Sequence, residues 1–353
     1  MYTGQTEQAT THEDHDQKSI ISDGADTDTL VDLTSSASLH VHAASLKSLK
    51  LQDRALGKDG RKPSILHFRL PRRVGTLLSA TRNKLFVQAP LAVRYDIVMT
   101  LRDNFGCAKL AETTIKDHIL PACVERLGPK HIQTLVVRES LGICAYRAGR
   151  YGEAMKFWQE TWEGRKEVLG REDLATLRAQ YNLSVALFEM GSLAEAEKTG
   201  TEVVASHEKV KGRTHVWTLR YRAALAVTIH NQGRYEEAKK ILEEVLEEQE
   251  KAGRTNRPDA LLSKQCHILA IYNLGGDHKL AEESLTKLLR NQTKVQGKKH
   301  PNTLATQLSI AHAIARQGRE EEAEAIQRKV LETQEKVLGK DHPHTQKTRR
   351  LLS

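Results

Sequence analysis

The chain is 353 residues long, 39% hydrophobic but only 5% aromatic, with a formal net charge of +9. Apolar residues never run for the roughly 20 positions that a membrane-spanning helix needs, and eight prolines without any run of alternating Val, Ile and Thr speak against sheet. Cys107, Cys123, Cys144 and Cys266 have no C-x-x-C spacing and Met1–Thr11 holds no apolar signal-peptide core, so a reducing compartment is expected, cytoplasmic with a nuclear alternative.

Residues 1–45 form an acidic tail. Between Met1 and Asp32, eight carboxylates face Lys18 alone, a net charge of −7. Rich in Ser, Thr and Asp with few large apolar residues, the tail cannot bury enough surface to offset its ordering entropy and is expected to be disordered. Residues 46–87 read as a basic linker or strap: from Ser45 to Lys84, eleven Lys and Arg face Asp53 and Asp59, a net charge of +9. Residues 88–126 read as a degenerate first hairpin, with one helix near Ala89–Arg102, a joint at Asn104–Ala111 (N-F-G-C-A-K-L-A) and a second helix that must absorb Pro121.

Residues 127–337 hold five repeats. A glycine is followed five residues on by alanine, mostly with Glu before it: Gly149–Ala154, Gly191–Ala196, Gly233–Ala238, Gly276–Ala281 and Gly318–Ala323, at steps of 42, 42, 43 and 42 residues. Fourteen residues before each glycine stands a leucine: Leu135, Leu177, Leu219, Leu262 and Leu304. Apolar pairs at helical spacing then run to the glycine, among them Leu141 and Ala145, Leu183 and Leu187, and Ile310 and Ile314, which marks helix A of each hairpin. After the glycine, which tolerates a left-handed turn, a second amphipathic stretch follows, such as Leu242, Val245 and Leu246; this is helix B. The signature alanine is small because helices A and B approach most closely there. Loops such as Leu127–His131 and Leu338–Pro343 place a glycine at the end of helix B and, in two repeats, Pro301 or Pro343 at the next helix start. Residues 338–353 hold one more helix A, a partial repeat or capping helix.

This pattern resembles the 42-residue tetratricopeptide repeats of kinesin light chains and the similar arrays at the C-termini of fungal nucleotide-binding receptor-like proteins. The resemblance implies an all-α, right-handed superhelical solenoid of stacked hairpins whose helices A line a groove for partner proteins. Counted from the anchor leucine as position 1, the resemblance turns positions 2, 5, 6, 9, 12 and 13 to the groove. They include Tyr146, Arg147, Arg178, Tyr181, Asn182, Phe188, Arg220, His230, Asn231, His267, Asn273, His312 and Arg316, with Glu139 and Glu189 beside them. The family's position-6 Asn, which holds peptide backbone, survives only as Asn182, so a kinesin-cargo role is not carried over.

No catalytic centre or cofactor is expected. Leu56–Lys62 (L-G-K-D-G-R-K) lacks the spacing of a phosphate-binding loop. The pairs His12 with His15 and His342 with His344 lack the further ligands that a zinc site needs, and His131, His300 and His342 recur at a loop position that suits helix capping. Cys266 and His267 are adjacent on a helix and point about 100° apart, away from nucleophile and base geometry. The expected function is a non-catalytic protein-interaction scaffold for an acidic peptide, since arginine forks pair with carboxylates and aromatic anchors contribute where water is excluded. The tail's own Asp26–Leu33 (D-T-D-T-L-V-D-L) is a candidate for intramolecular docking through its tether. Two alternatives remain: nucleic-acid association through the basic 45–84 segment, which includes R-L-P-R-R at Arg69–Arg73 but few aromatics, or a surviving interaction fragment of a larger receptor-like protein.

Overall fold

The computed structural model describes residues 108–352. The expected acidic tail, the basic strap and the helix near Ala89–Arg102 lie outside the described residues. Among those described, the chain is helices and turns with no strand, which is the all-α stack of hairpins that the repeat pattern implied. No helix here is long and apolar enough to cross a membrane.

The first helix is continuous but changes pitch: α1 (Ala108–Thr114) runs through a π turn (Ile115–Ile119) into α2 (Leu120–Leu127). Pro121 lies in the first turn of α2. It has no N–H to give and its ring crowds the carbonyl four residues back, and the wider π turn just before it accommodates both. Ile115, Ile119 and Cys123 then pack on Val137 and Leu141 of α3 (Ile132–Arg147), so this helix serves as the layer beneath the first full repeat.

Five hairpins follow. α3 pairs with α4 (Tyr151–Leu169), α5 (Leu174–Glu189) with α6 (Leu193–Lys211), and α7 (Val216–Asn231) with α8 (Tyr235–Lys251). α9 (Pro258–Asn273) pairs with α10 (His278–Val295), α11 (Pro301–Ala315) with α12 (Glu320–Val337), and α13 (Pro343–Arg350) ends the stack.

The same local devices recur at most joints. The ring nitrogen Nδ1 of His131, His215, His300 and His342 accepts the backbone N–H two residues on, at 3.2–3.3 Å, and so caps α3, α7, α11 and α13. Asp173 caps α5 in the same way. An N–H can donate only to an unprotonated nitrogen, so these imidazoles cap while neutral at Nδ1. All five signature alanines are buried, which keeps helices A and B close. Arginines after the turn glycine bracket alternate repeats: Arg150 reaches Glu112 and Glu153, Arg234 reaches Glu197 and Glu237, and Arg319 reaches Glu282 and Glu322. Glu112 follows Ala111 as Glu197 follows Ala196 and Glu282 follows Ala281.

The structure corrects the register of the fourth repeat. α9 starts 42 residues after α7, and Leu261, not Leu262, is the leucine buried at its foot. The extra residue falls in the α9–α10 turn, where Gly275 takes the left-handed φ of 95° and Gly276 is the insertion. Both alignments keep the fourteen-residue step from leucine to glycine, and the glycine-to-alanine step fits only Gly276; the backbone conformation selects Gly275 as the turn glycine.

Candidate functional site

Helices α3, α5, α7, α9 and α11 are the A helices, and their common face carries the residues that position counting singles out. The structure divides these residues into two groups.

The first group is engaged within the chain. Glu139 of α3 is only 4% exposed and accepts from Arg165 of α4 (2.7 Å), from Arg178 of α5 (3.1 and 3.2 Å) and from Asn182 of α5 (3.3 Å). Burial alone would raise its pKa; the two guanidinia reverse that and hold it at about 2. Arg178 and Asn182 are therefore tied into an inter-repeat cluster. The one Asn that keeps the family's position bonds a neighbouring side chain. Tyr181 is buried and stacks on Tyr221 at 4.6 Å between ring centroids. Tyr146 donates to Glu189 at 3.0 Å and packs between Tyr151 and Trp158. Burial first, then Glu189, raises its phenol pKa well above the usual value.

The second group lies further open. Phe188 is half-buried, Arg147 and Arg316 are exposed, and Arg220 lies over the Trp217 ring at 5.0 Å. His230 and Asn273 face each other across 3.0 Å, a step that repeats the Tyr146–Glu189 contact two hairpins earlier. Asn231 bonds its own helix at Val227, and His312 stands edge-on to Tyr272 at 5.8 Å. With the register corrected, His267 moves one position off the groove set and faces Glu243 of α8 at 3.4 Å. Cys266 takes position 6 instead; burial pushes its thiol up to about 12, which removes it as a nucleophile at neutral pH.

Sequence reading missed a buried polar column. Arg165, His207, Gln249, Gln292 and Gln334 recur on helix B at the repeat spacing, and every one is buried. Each stands eleven residues before the position held by Thr176, Thr218, Ala260, Thr303 and Thr345 at the start of the next hairpin. His207 Nδ1 meets Thr218 Oγ1 at 2.7 Å, and that hydroxyl in turn donates to the Gly212 carbonyl at 2.8 Å. The hydroxyl's single proton is thus committed, so the imidazole donates. The recurrence at the repeat spacing was the available signal.

Among the described residues no three His, Cys, Asp or Glu side chains gather as a metal site. His342 and His344 are occupied in capping and in contacts to the first two hairpins.

A tetratricopeptide repeat family model matches residues 135–209 and 175–251, and a second matches residues 303–344. No curated protein matches. Among solved structures, a Podosopora anserina chain described as kinesin light chain nearly identical TPR-like repeats is 27% identical over 58% of this chain and 97% of its own, with a TM-score of 0.43. NprR in complex with its cognate peptide NprX gives a TM-score of 0.56 at 16% identity over 98% of this chain and 84% of its own. The Rap conjugation gene regulator of plasmid pLS20, in complex with the Phr* peptide, gives 0.54 at 15% identity over 79% of each chain. The latter two likenesses show the fold. Residues 135–251 and 303–344 of this chain are tetratricopeptide repeats, set in a continuous stack of helical hairpins.

Proposed function

We propose that the chain is a non-catalytic protein-interaction scaffold whose A-helix face takes an acidic peptide, with residues 127–337 as the binding module in the cytoplasm. The observation that carries the charge preference is the fate of the two carboxylates on the front of that face. Glu139 is neutralised by Arg165 and Arg178, and Glu189 is engaged by Tyr146 and lies beside His344. Arg220 and Arg316 lie on the same face, which supports a positive residual charge. Peptide-bound relatives of the same fold, NprR and the pLS20 Rap regulator, support a peptide as the occupant.

The half-buried Phe188 and the Arg220–Trp217 pair supply apolar surface beside the cations, which suits a peptide with one or two large apolar side chains. The chain's own Asp26–Leu33 has that composition. A fluorescently labelled peptide of this sequence, titrated into the chain lacking residues 1–45, should bind saturably and weaken as salt rises. Tighter binding than to the full chain would follow from removal of the tethered competitor. No binding at millimolar protein, with or without the tail, would refute the reading. The alternative interface for nucleic acid, the basic 45–84 segment, lies outside the described residues.

A further inference from the structure

In an open stack of hairpins each unit touches its neighbours. Here the last helix also touches the first hairpin. Pro343, at the first turn of α13, packs on Gly149 in the α3–α4 turn: a Cβ on Gly149 would overlap Pro343 Cδ and stand 3.2 Å from His342 Cδ2. At Gly191, Gly233 and Gly318, the same turn position in other repeats, a Cβ would have nothing within 4 Å. The His342 ring, besides capping α13, is hydrogen-bonded to the Arg147 backbone. His344 Nε2 lies 3.4 Å from Glu189 Oε2, and its ring stands edge-on to Tyr151 at 6.5 Å. Glu189 accepts Tyr146 on its other oxygen, so one carboxylate links α3, α5 and α13.

We propose that the array closes on itself, with the His342–Pro343–His344 edge acting as a clasp on the first hairpin's turn. The clasp meets Glu189, the Tyr151 ring and the Arg147 backbone, at the front of the A-helix face. Under the binding reading proposed above, a partner reaches that front only through the open ends of the array or after the clasp releases. Closure itself does not depend on that reading, and its test needs no partner. Gly149 is the keystone for two reasons: its φ of 74° makes the turn, and its missing side chain makes room for Pro343.

The test is a distance measurement by electron–electron resonance in the full chain, with its four cysteines replaced by alanine and spin labels at Gly152→Cys and Gln346→Cys. A Cβ at Gly152 meets nothing within 4 Å and Gln346 is exposed, so both labels are tolerated. Closure predicts one population with backbones no more than roughly 20 Å apart, from two three-residue helical rises plus a contact. A straight stack of five interaxial steps would place them roughly 40–50 Å apart. Asn adopts positive φ more readily than other side chains, so Gly149→Asn keeps the turn while pushing on Pro343; Gly191→Asn, with φ of 82° and open space, is its control. A short distance that lengthens in Gly149→Asn and persists in Gly191→Asn supports the clasp. A long or broad distribution in the parent chain overturns closure, and a short distance unchanged by Gly149→Asn overturns the clasp.

Discussion

Replacing Glu139 by Gln should be among the most damaging single substitutions in the array, although it preserves size and shape. Arg165 is 1% exposed and rests on Glu139 Oε2 at 2.7 Å and on the Ala175 carbonyl at 3.1 Å. Removing the carboxylate charge leaves that guanidinium buried and unneutralised, a change that costs about 3–5 kcal/mol when one partner of a buried pair is lost. Arg165 stands where other repeats carry Gln249, Gln292 and Gln334, so Glu139→Gln combined with Arg165→Gln should recover most of the loss. Urea unfolding followed by tryptophan fluorescence suits the assay, because Trp158 donates its indole N–H to the Glu139 carbonyl at 3.2 Å and reports on this joint. Wild type, both single variants and the double variant complete a cycle whose coupling should exceed about 2 kcal/mol. A Glu139→Gln loss under about 1 kcal/mol, or simple additivity, would refute the reasoning.

Further outcomes follow from the same column and from close backbone approaches. His207 has a pKa lowered to about 4 by burial, then by His215 and Lys211. Its neutral form is favoured in the folded chain, so its contribution is full above pH 6.5 and is lost as pH falls toward 4. Unfolding at pH 7.5 and pH 5 should differ by about 2 kcal/mol more in wild type than in His207→Gln; equal pH responses would contradict this. Eleven residues after Gln249 stands Ala260, where four other repeats carry threonine, and both Gln249 amide atoms lack a hydrogen-bond partner. Gln249→Met should stabilise by about 1–2 kcal/mol, and a loss of stability on thermal unfolding would argue against it. A Cβ at Gly142 would overlap the Trp158 indole, so Gly142→Ala should cost about 1–3 kcal/mol despite alanine's helix propensity. Gly152→Ala, in open helix surface, should gain up to about 1 kcal/mol by the same denaturation measurement.

The stacked hairpins were legible because the demands of the fold fall on residue types with few substitutes. Gly149, Gly191, Gly233 and Gly318 take a left-handed φ, and Ala154, Ala196, Ala238, Ala281 and Ala323 sit at helix crossings. The fourth register was misplaced because Leu261 and Leu262, and Gly275 and Gly276, keep the same leucine-to-glycine spacing one residue apart, while the alanine step fits Gly276 alone. Position counting placed Glu139, Tyr181 and Asn182 on the groove face, but it carries no information on how deeply adjacent A helices cover that face. The buried column was hidden by its chemistry, since Arg, His and Gln share no motif and differ only in how each is satisfied. The contact between α13 and the first hairpin depends on small rotations summed over five repeats, which no local pattern encodes.

The claim that the A-helix face binds an acidic peptide is tested most directly by charge reversal away from the Glu139 cluster. Arg178→Glu would unpick that cluster, so the informative variant is Arg220→Glu with Arg316→Glu, beside Arg328→Glu on α12 as a surface control. Anisotropy titration of the labelled Asp26–Leu33 peptide should show at least a roughly tenfold weaker affinity for the double variant, about 1.4 kcal/mol, and no change for the control. Equal affinity for all three proteins would contradict the account.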